Sequence, residues 1–220
     1  MTGFDLNLGI QTSFDGTVKN SGAITIPSKL LSEIVNKLPN ETPVSLEVDE
    51  NSDNILIKSD RGSFNLKGIP SDEYPNLPFV ESGTSLNIDP SSFLKALKST
   101  IFASSNDDSK QLLTGVNFTF KQNYLESAST DGHRLVKLSV SIDKEYNQTV
   151  IVPQQFLSAL LDNIDDEENI KLQLSENHIM IQLSNINIIS RIIKDKYPDF
   201  ESVIPYENNK EINIDRNDLI

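Results

Sequence analysis

Between residues 23 and 38 the apolar positions keep a helical period, and between 149 and 164 the same pattern returns. In AITIPSKLLSEIVNKL, Leu30, Leu31, Ile34, Val35 and Leu38 recur at i, i+1, i+4, i+5 and i+8, a single apolar stripe on one helix face. In TVIVPQQFLSALLDNI, Phe156, Leu157, Leu160, Leu161 and Ile164 fill the same five places at an offset of 126 residues. Pro27 and Pro153 stand at the head of each stripe after a β-rich run, where the missing proline N–H costs a helix nothing. Each stretch therefore predicts a strand feeding a one-sided helix.

Past the helices the period changes to two. Val44, Leu46 and Val48 match Ile170, Leu172 and Leu174 at the same offset, an alternation that predicts a half-buried strand. At the next turn DENSDN is shortened to SENH, and Ile55 and Ile57 then match Ile179 and Ile181 at 124; a hairpin loop tolerates such a deletion. Tyr74-Pro75 answers Tyr197-Pro198 near the end of each copy. The chain thus reads as repeated units joined near 79–85. In the second, a strand at 84–88, a helix at about 90–103 and strands at about 113–120 and 123–129 come before Asp131. The first has only Asp5 onward in that frame, so its expected beginning falls about 40 residues before Met1. A third echo closes the chain: Ile212-Asn213-Ile214-Asp215 repeats Leu86-Asn87-Ile88-Asp89, with Leu219 and Ile220 for Phe93 and Leu94. It is expected to be the first strand and helical turn of another unit, which makes the chain an internal fragment of a three-unit protein.

This order predicts an α+β fold in which each helix lies on an antiparallel sheet. A stripe of five side chains at roughly 1.5–3 kcal/mol each contributes on the order of 10 kcal/mol when it covers a sheet. An incomplete first unit leaves a sheet face uncovered, which predicts low solubility or a dimer through that face.

Composition narrows the function. With 220 residues, 37% of them hydrophobic, the chain can bury a real core. No apolar run reaches membrane-span length and the start MTGFDLNLGI has no signal-peptide character, so a soluble cytoplasmic protein without a membrane partner is expected. Zero cysteines exclude disulfides, thiolate catalysis and Cys-ligated zinc. With His133 and His178 the only histidines, no metal or cofactor is expected. The net charge of −13 opposes nucleic-acid binding on its face. Its distribution changes that conclusion: the three helix segments sum to +2 and the remainder carries −15. Weakly basic helix faces in an acidic shell guide a polyanion along one surface, although acids gather in the loops of many acidic proteins.

The run STDGHRLVKLSV (129–140), followed by VIVPQQFL and YPDFESVIP, closely resembles the β subunit of bacterial DNA polymerase III, the sliding clamps, and GSFNLKGIPSDEYPNLP (62–78) resembles that family's first domain. The resemblance extends over essentially the whole chain. It implies a DNA-clamp fold, with residues 1–80 the later part of domain 1, 81–207 a complete central domain and 208–220 a linker and the start of domain 3. It further implies a non-enzymatic processivity factor, a homodimeric ring around double-stranded DNA, which tethers polymerase III alpha, clamp-loader subunits and other proteins carrying a clamp-binding motif.

By position, Lys29, Lys95, Lys98, Lys110 and Gln111 are the DNA-facing candidates, contacting backbone without reading bases. By motif, the family's hydrophobic peptide cleft maps to Leu113, Thr130, Gly132, His133, Arg134, Leu135, Pro198 and Val203. Leu113, Leu135, Pro198 and Val203 would supply apolar walls, Gly132 a backbone bend, and Thr130, His133 and Arg134 a polar rim. Ser202 stands where well-known members carry Arg, which removes one rim charge. Two rival readings remain. An enzyme would use Asp131, His133 and Arg134, but strand alternation places Arg134 on the face opposite the other two; Asp131-Gly132 is equally read as a turn or bulge. A DNA-independent interaction scaffold is the other.

Overall fold

The computed structural model describes residues 1–40, 42–49, 52–78, 80, 83–142, 147–164 and 170–219. Ile220 of the terminal echo, the side chain of Asn87, and residues 79, 81 and 82 of the expected joint lie outside the described set. In chain order the elements are β1 (Thr2–Phe4), β2 (Leu8–Thr12), β3 (Ile24–Thr25), α1 (Ser28–Val35), β4 (Ser45–Asp49), β5 (Asn54–Ser59), β6 (Gly62–Lys67) and β7 (Ile69–Pro70). There follow β8 (Thr84–Asn87), α2 (Pro90–Thr100), β9 (Gly115–Lys121), β10 (Tyr124–Thr130) and β11 (Leu135–Ser141). The last are β12 (Gln148–Pro153), α3 (Gln154–Asn163), β13 (Lys171–Leu174), β14 (His178–Gln182), β15 (Ile186–Arg191) and α4 (Arg216–Leu219). Short 3₁₀ turns, among them Asp108–Thr114 and Glu201–Val203, fill the connections.

Two compact units share the chain: Met1–Pro90 with Ser158–Arg191, and Ser91–Leu157 with Ile192–Ile220. The first contains a six-stranded antiparallel sheet, β1-β2-β15-β14-β13-β8, the three-stranded sheet β4-β5-β6, and the two-stranded β3-β7. The second contains the four-stranded antiparallel sheet β11-β10-β9-β12. There α2 turns Phe93, Leu94, Ala96 and Leu97 inward, and Phe93 meets Phe118 of β9 with ring centroids 5.6 Å apart.

The sequence repeat is a structural repeat, element for element: strand, helix, three strands. In β4–β5, Leu46 lies opposite Ile57 and Val48 opposite Ile55; in β13–β14, Leu172 lies opposite Ile181 and Leu174 opposite Ile179. Thr25 opposite Ile69 returns as the isolated bridge of Ile151 and Ile193. Every one of these pairs keeps the offsets of 126 and 124. Pro27 and Pro153 fall one residue before their helices, at the cap and not at the first helical position.

Burial divides the two copies. Along α3, Phe156, Leu157 and Leu160 are fully buried. Along α1 only Ile34 is, joined by Ile55, Ile57 and Leu66 in a small cluster against which Leu31 and Leu38 are half-buried. Leu30 and Val35 are exposed, which corrects the expectation of five buried stripe residues in each copy. The strand β4 differs in the same way. Its alternation is present, but every residue in it is exposed, because β5 is its only neighbour and the outer edge has no strand against it among the described residues. The terminal echo is corrected as well. Residues 212–214 form no strand, since a strand exists only where a neighbour takes its N–H and C=O groups; the helical turn after it does form, as α4.

The repeat permits a controlled test of burial. Leu172 is 1% exposed and its counterpart Leu46 is 51% exposed. Leu172→Ala is expected to cost about 2–5 kcal/mol of stability, and Leu46→Ala, in dilute protein, less than about 1 kcal/mol. Chemical denaturation of both variants measures the difference.

Candidate functional site

The turn between β10 and β11 carries most of the predicted site residues. Thr130 ends β10 and Leu135 opens β11, and the two lie opposite each other in the ladder. The four residues between must reverse the chain. Gly132 does so with φ of +93°, a region costly for any side chain, and open space surrounds the position where a Cβ would stand. The Thr130 hydroxyl accepts from the Gly132 N–H at 3.0 Å and donates to the Arg134 carbonyl at 2.7 Å. Asp131 Oδ1 accepts from the N–H groups of His133 and Arg134 at 2.9 and 3.0 Å, while its Oδ2 accepts from Arg134 Nε at 3.0 Å. These donors, the Arg134 backbone N–H first, hold the Asp131 carboxyl down to about 2.

This geometry corrects the placement of Arg134 opposite Asp131. Residues 131–134 are not a strand, so alternation does not apply, and the two side chains form an ion pair. Both Asp131 oxygens are engaged by donors of the turn itself. Asp131-Gly132 is the turn that the residues themselves suggested.

Behind the turn sits Tyr197. Its hydroxyl oxygen accepts the Thr130 N–H at 3.1 Å, fastening the 195–200 segment to the end of β10. Burial pushes this phenol up, and the Thr130 N–H opposes that shift. Lys137 of β11 forms ion pairs with Glu126, at 3.3 Å, and with Glu201. The hydrogen bond to Glu201 raises the Lys137 ammonium and lowers the Glu201 carboxyl. Arg134 stacks its guanidinium over the Phe102 ring at 5.6 Å.

Two cavities flank these groups. One, of about 370 Å³, is lined by Ser104, Ser105, Asn106, Asp107, Lys110, Asp131, His133 and Arg134. The other, of about 450 Å³, includes Asn117, Ile151, Ile193, Tyr197, Pro198 and Phe200 in its wall. His133 and Arg134 therefore share a cavity with Lys110, whereas Pro198 lines the second one. Leu113 and Val203 line neither. Leu113 is tied to the first by its carbonyl, which accepts from the Ser105 N–H at 2.8 Å; Val203 is an exposed residue of a 3₁₀ turn. Gly115, two residues beyond Leu113, begins β9 so close to its neighbours that a Cβ there would stand 2.7 Å from Ile151 and 2.9 Å from Ile193. The sequence reading missed the 104–107 segment, Tyr197 and Phe102. The run SSNDDS carried a turn signal, and Tyr197 already stood out as half of the recurring Tyr-Pro pair.

The cationic candidates fall on exposed positions. Lys95 and Lys98 stand on the outer face of α2, opposite its buried residues. Lys29 is exposed on α1, and Lys110 and Gln111 on the 3₁₀ segment before β9. Among the described residues no cluster of three His, Asp or Glu side chains is arranged to hold a metal ion, and no helix is long and apolar enough to cross a membrane.

Comparison with known proteins places these features. A family model described as DNA polymerase III beta subunit, N-terminal domain, matches residues 1–78, and one for that subunit's central domain matches residues 87–199. The Beta sliding clamp of Synechococcus elongatus is 38% identical over 226 residues, covering 100% of this chain and 60% of the relative. That of Bacillus subtilis is 35% identical, covering 93% and 54%. The chain thus spans a little over half the length of the relatives it matches. The crystal structure of the Bacillus subtilis DNA polymerase sliding clamp superposes with a TM-score of 0.80 at 32% identity, over 94% of this chain and 57% of that one. A Pseudomonas aeruginosa sliding clamp bound to griselimycin gives 0.81 at 26%, over 94% and 57%. With an α+β architecture of repeated antiparallel sheets and the STDGHRL turn in place, this chain belongs to the family of the DNA polymerase III beta subunit, the beta sliding clamps.

Proposed function

We propose that this chain is part of a processivity factor: a clamp that encircles duplex DNA without reading sequence and holds the replicative polymerase to its template. In this reading it has no catalysis of its own. Residues 1–80 are the later part of the first clamp domain, 81–207 the central domain and 208–220 the approach to the third. The family matches over 1–78 and 87–199 and the repeat offset of 126 support that division. The complete polypeptide is a homodimeric ring acting in the bacterial cytoplasm.

The observation that carries the partner-binding half of the proposal is the fastened turn. A peptide of a polymerase subunit, clamp loader or other clamp-binding protein would lie against Leu113, Thr130, Gly132, His133, Arg134, Leu135, Pro198 and Val203. Rigid backbone here lowers the ordering cost of binding, and Thr130, Asp131 and Tyr197 supply that rigidity. Ser202 turns its hydroxyl to the Asp199 carbonyl at 2.8 Å and offers no charge to the rim. The DNA-facing half rests on the exposed Lys29, Lys95, Lys98, Lys110 and Gln111. A scaffold indifferent to DNA would need none of these cations on helix faces in so acidic a chain.

Topology tests the DNA half. A polypeptide of the relatives' length containing this chain should remain on nicked circular duplex and run off the same duplex once it is linearised; equal retention on both would refute the clamp reading. Lys95→Glu with Lys98→Glu should weaken loading and lower the slope of log affinity against log salt by about 0.9 for each phosphate no longer neutralised.

For the cleft, His133→Ala combined with Leu135→Ala should reduce the affinity of a fluorescent peptide bearing a polymerase clamp-binding motif by about tenfold or more, with the melting temperature little changed.

Asp131 sets the pH limit of the turn. Its folded value lies near 2 against an ordinary 3.8, so its contribution is complete above about 4 and drains away as pH falls toward 2. Amide shifts of His133 and Arg134 should follow that titration by NMR, and Asp131→Asn should abolish it.

A further inference from the structure

Lys137 stands two residues beyond Leu135 in β11, so the two side chains share one face of the sheet. It is the face turned away from α2. Ser129 of β10 reaches the Thr100 carbonyl of that helix, which sends Ala128 and Thr130, the ladder partners of Lys137 and Leu135, to the other side. Three contacts hold the segment 197–201 to these two strands. Tyr197 accepts the Thr130 N–H at 3.1 Å, the Phe200 ring centroid lies 6.0 Å from the Lys137 ammonium, and Glu201 pairs with that ammonium. Tyr197 and Phe200 also meet edge to face at 6.3 Å. Val203 follows at once: its N–H donates to the Phe200 carbonyl at 3.3 Å, in the 3₁₀ turn Glu201–Val203. Pro198 and Val203, two of the proposed cleft walls, are thus carried by a segment with two of its three anchors on Lys137.

The ammonium is shared. On its other side Glu126, whose side chain is only 12% exposed, lies at 3.3 Å, and Lys121 at the end of β9 stands 3.8 Å from that carboxylate. Tyr206 donates to the second Glu201 oxygen at 2.5 Å. The charges form an alternating row, Lys121–Glu126–Lys137–Glu201, and removing Lys137 would leave Glu126 and Glu201 with no cation between them. We infer that Lys137 is a positioning residue for the peptide cleft: it touches no peptide, and its ammonium fixes the Phe200–Val203 turn so that Pro198 and Val203 are held as walls. The inference rests on the cleft reading above. A wall held in place beforehand lowers the ordering cost that a peptide must meet on binding. Tyr197 cannot substitute for Lys137, because it restrains only the start of the segment and Val203 lies six residues further on.

An uncharged peptide bearing a clamp-binding motif has no ion pair of its own to screen, so any loss of its affinity with salt reports on the protein. In a polypeptide of the relatives' length containing this chain, affinity for such a fluorescent peptide should fall about threefold between about 50 and 500 mM sodium chloride. Lys137→Met, which keeps the apolar stem and removes the charge, should lower the low-salt affinity about fivefold. It should also abolish the salt dependence, with the melting temperature little changed. Glu201→Gln, which removes the other end of the pair, should produce the same two changes, and Lys137→Arg should behave as the parent does. Lys121→Met removes the same charge one pair further from the turn and should leave affinity unchanged. A parent that binds no peptide would sink the cleft reading and this inference with it. Three outcomes would overturn the inference alone: Lys137→Met binding as well as the parent, Lys137→Met losing affinity while keeping the parent's salt dependence, or Lys121→Met weakening binding as much as Lys137→Met.

Discussion

Cross-strand pairing of apolar residues on one sheet face is the constraint on which the rest of this molecule depends. Side chains along a strand alternate with a period of two, so a slip of one residue would carry a whole apolar row to the wrong face. That is why the two copies of the repeat can differ by two residues in the β4–β5 and β13–β14 turns. The shortening preserves parity. Leu46 opposite Ile57 and Leu172 opposite Ile181 remain the same pair, and the change falls outside the ladder. A one-residue loss at that turn would have reversed Ile179 and Ile181, both fully buried.

The turn at 130–135 rests on the same foundation. β9 and β10 are buried through most of their length, so their ends are fixed in space before any local interaction adds to them. On this support a few short hydrogen bonds suffice to fix four residues. Asp131 commits both oxygens to them. Its chemistry is thereby given over to holding the shape of the turn.

Much of this was legible in the chain. The repeat, its offset, the strand-helix order and the residues gathered at the STDGHRL turn all follow from spacing and motif. What was not legible has one physical origin: spacing says which residues share a face and says nothing about what covers it. Leu30, Val35 and Leu46 carry the pattern of buried residues and are exposed, whereas their counterparts Phe156, Leu161 and Leu172 have cover that is complete or partial. Ile212 and Ile214 carry a strand pattern and form none. The pairing of Arg134 with Asp131 was missed for a related reason, since a positive φ at Gly132 breaks the alternation that a strand would impose. Tyr197 announced itself as part of a recurring pair, but its hydrogen bond to Thr130 joins residues 67 apart, a distance that no local pattern encodes.

Charge raises the remaining question, because a net of −13 is an odd choice for a protein proposed to enclose a polyanion. Sliding resolves it. Each phosphate neutralised by a lysine adds to affinity and also to the friction and salt sensitivity of movement, so a dense cationic lining would hold DNA in place. A ring retains duplex by topology and needs only enough positive charge to centre it. In the proposed ring, exposed lysines on α1 and α2 set in an acidic chain would meet that requirement: the helix faces would tolerate the backbone, and the acidic remainder would discourage duplex from settling elsewhere on the surface.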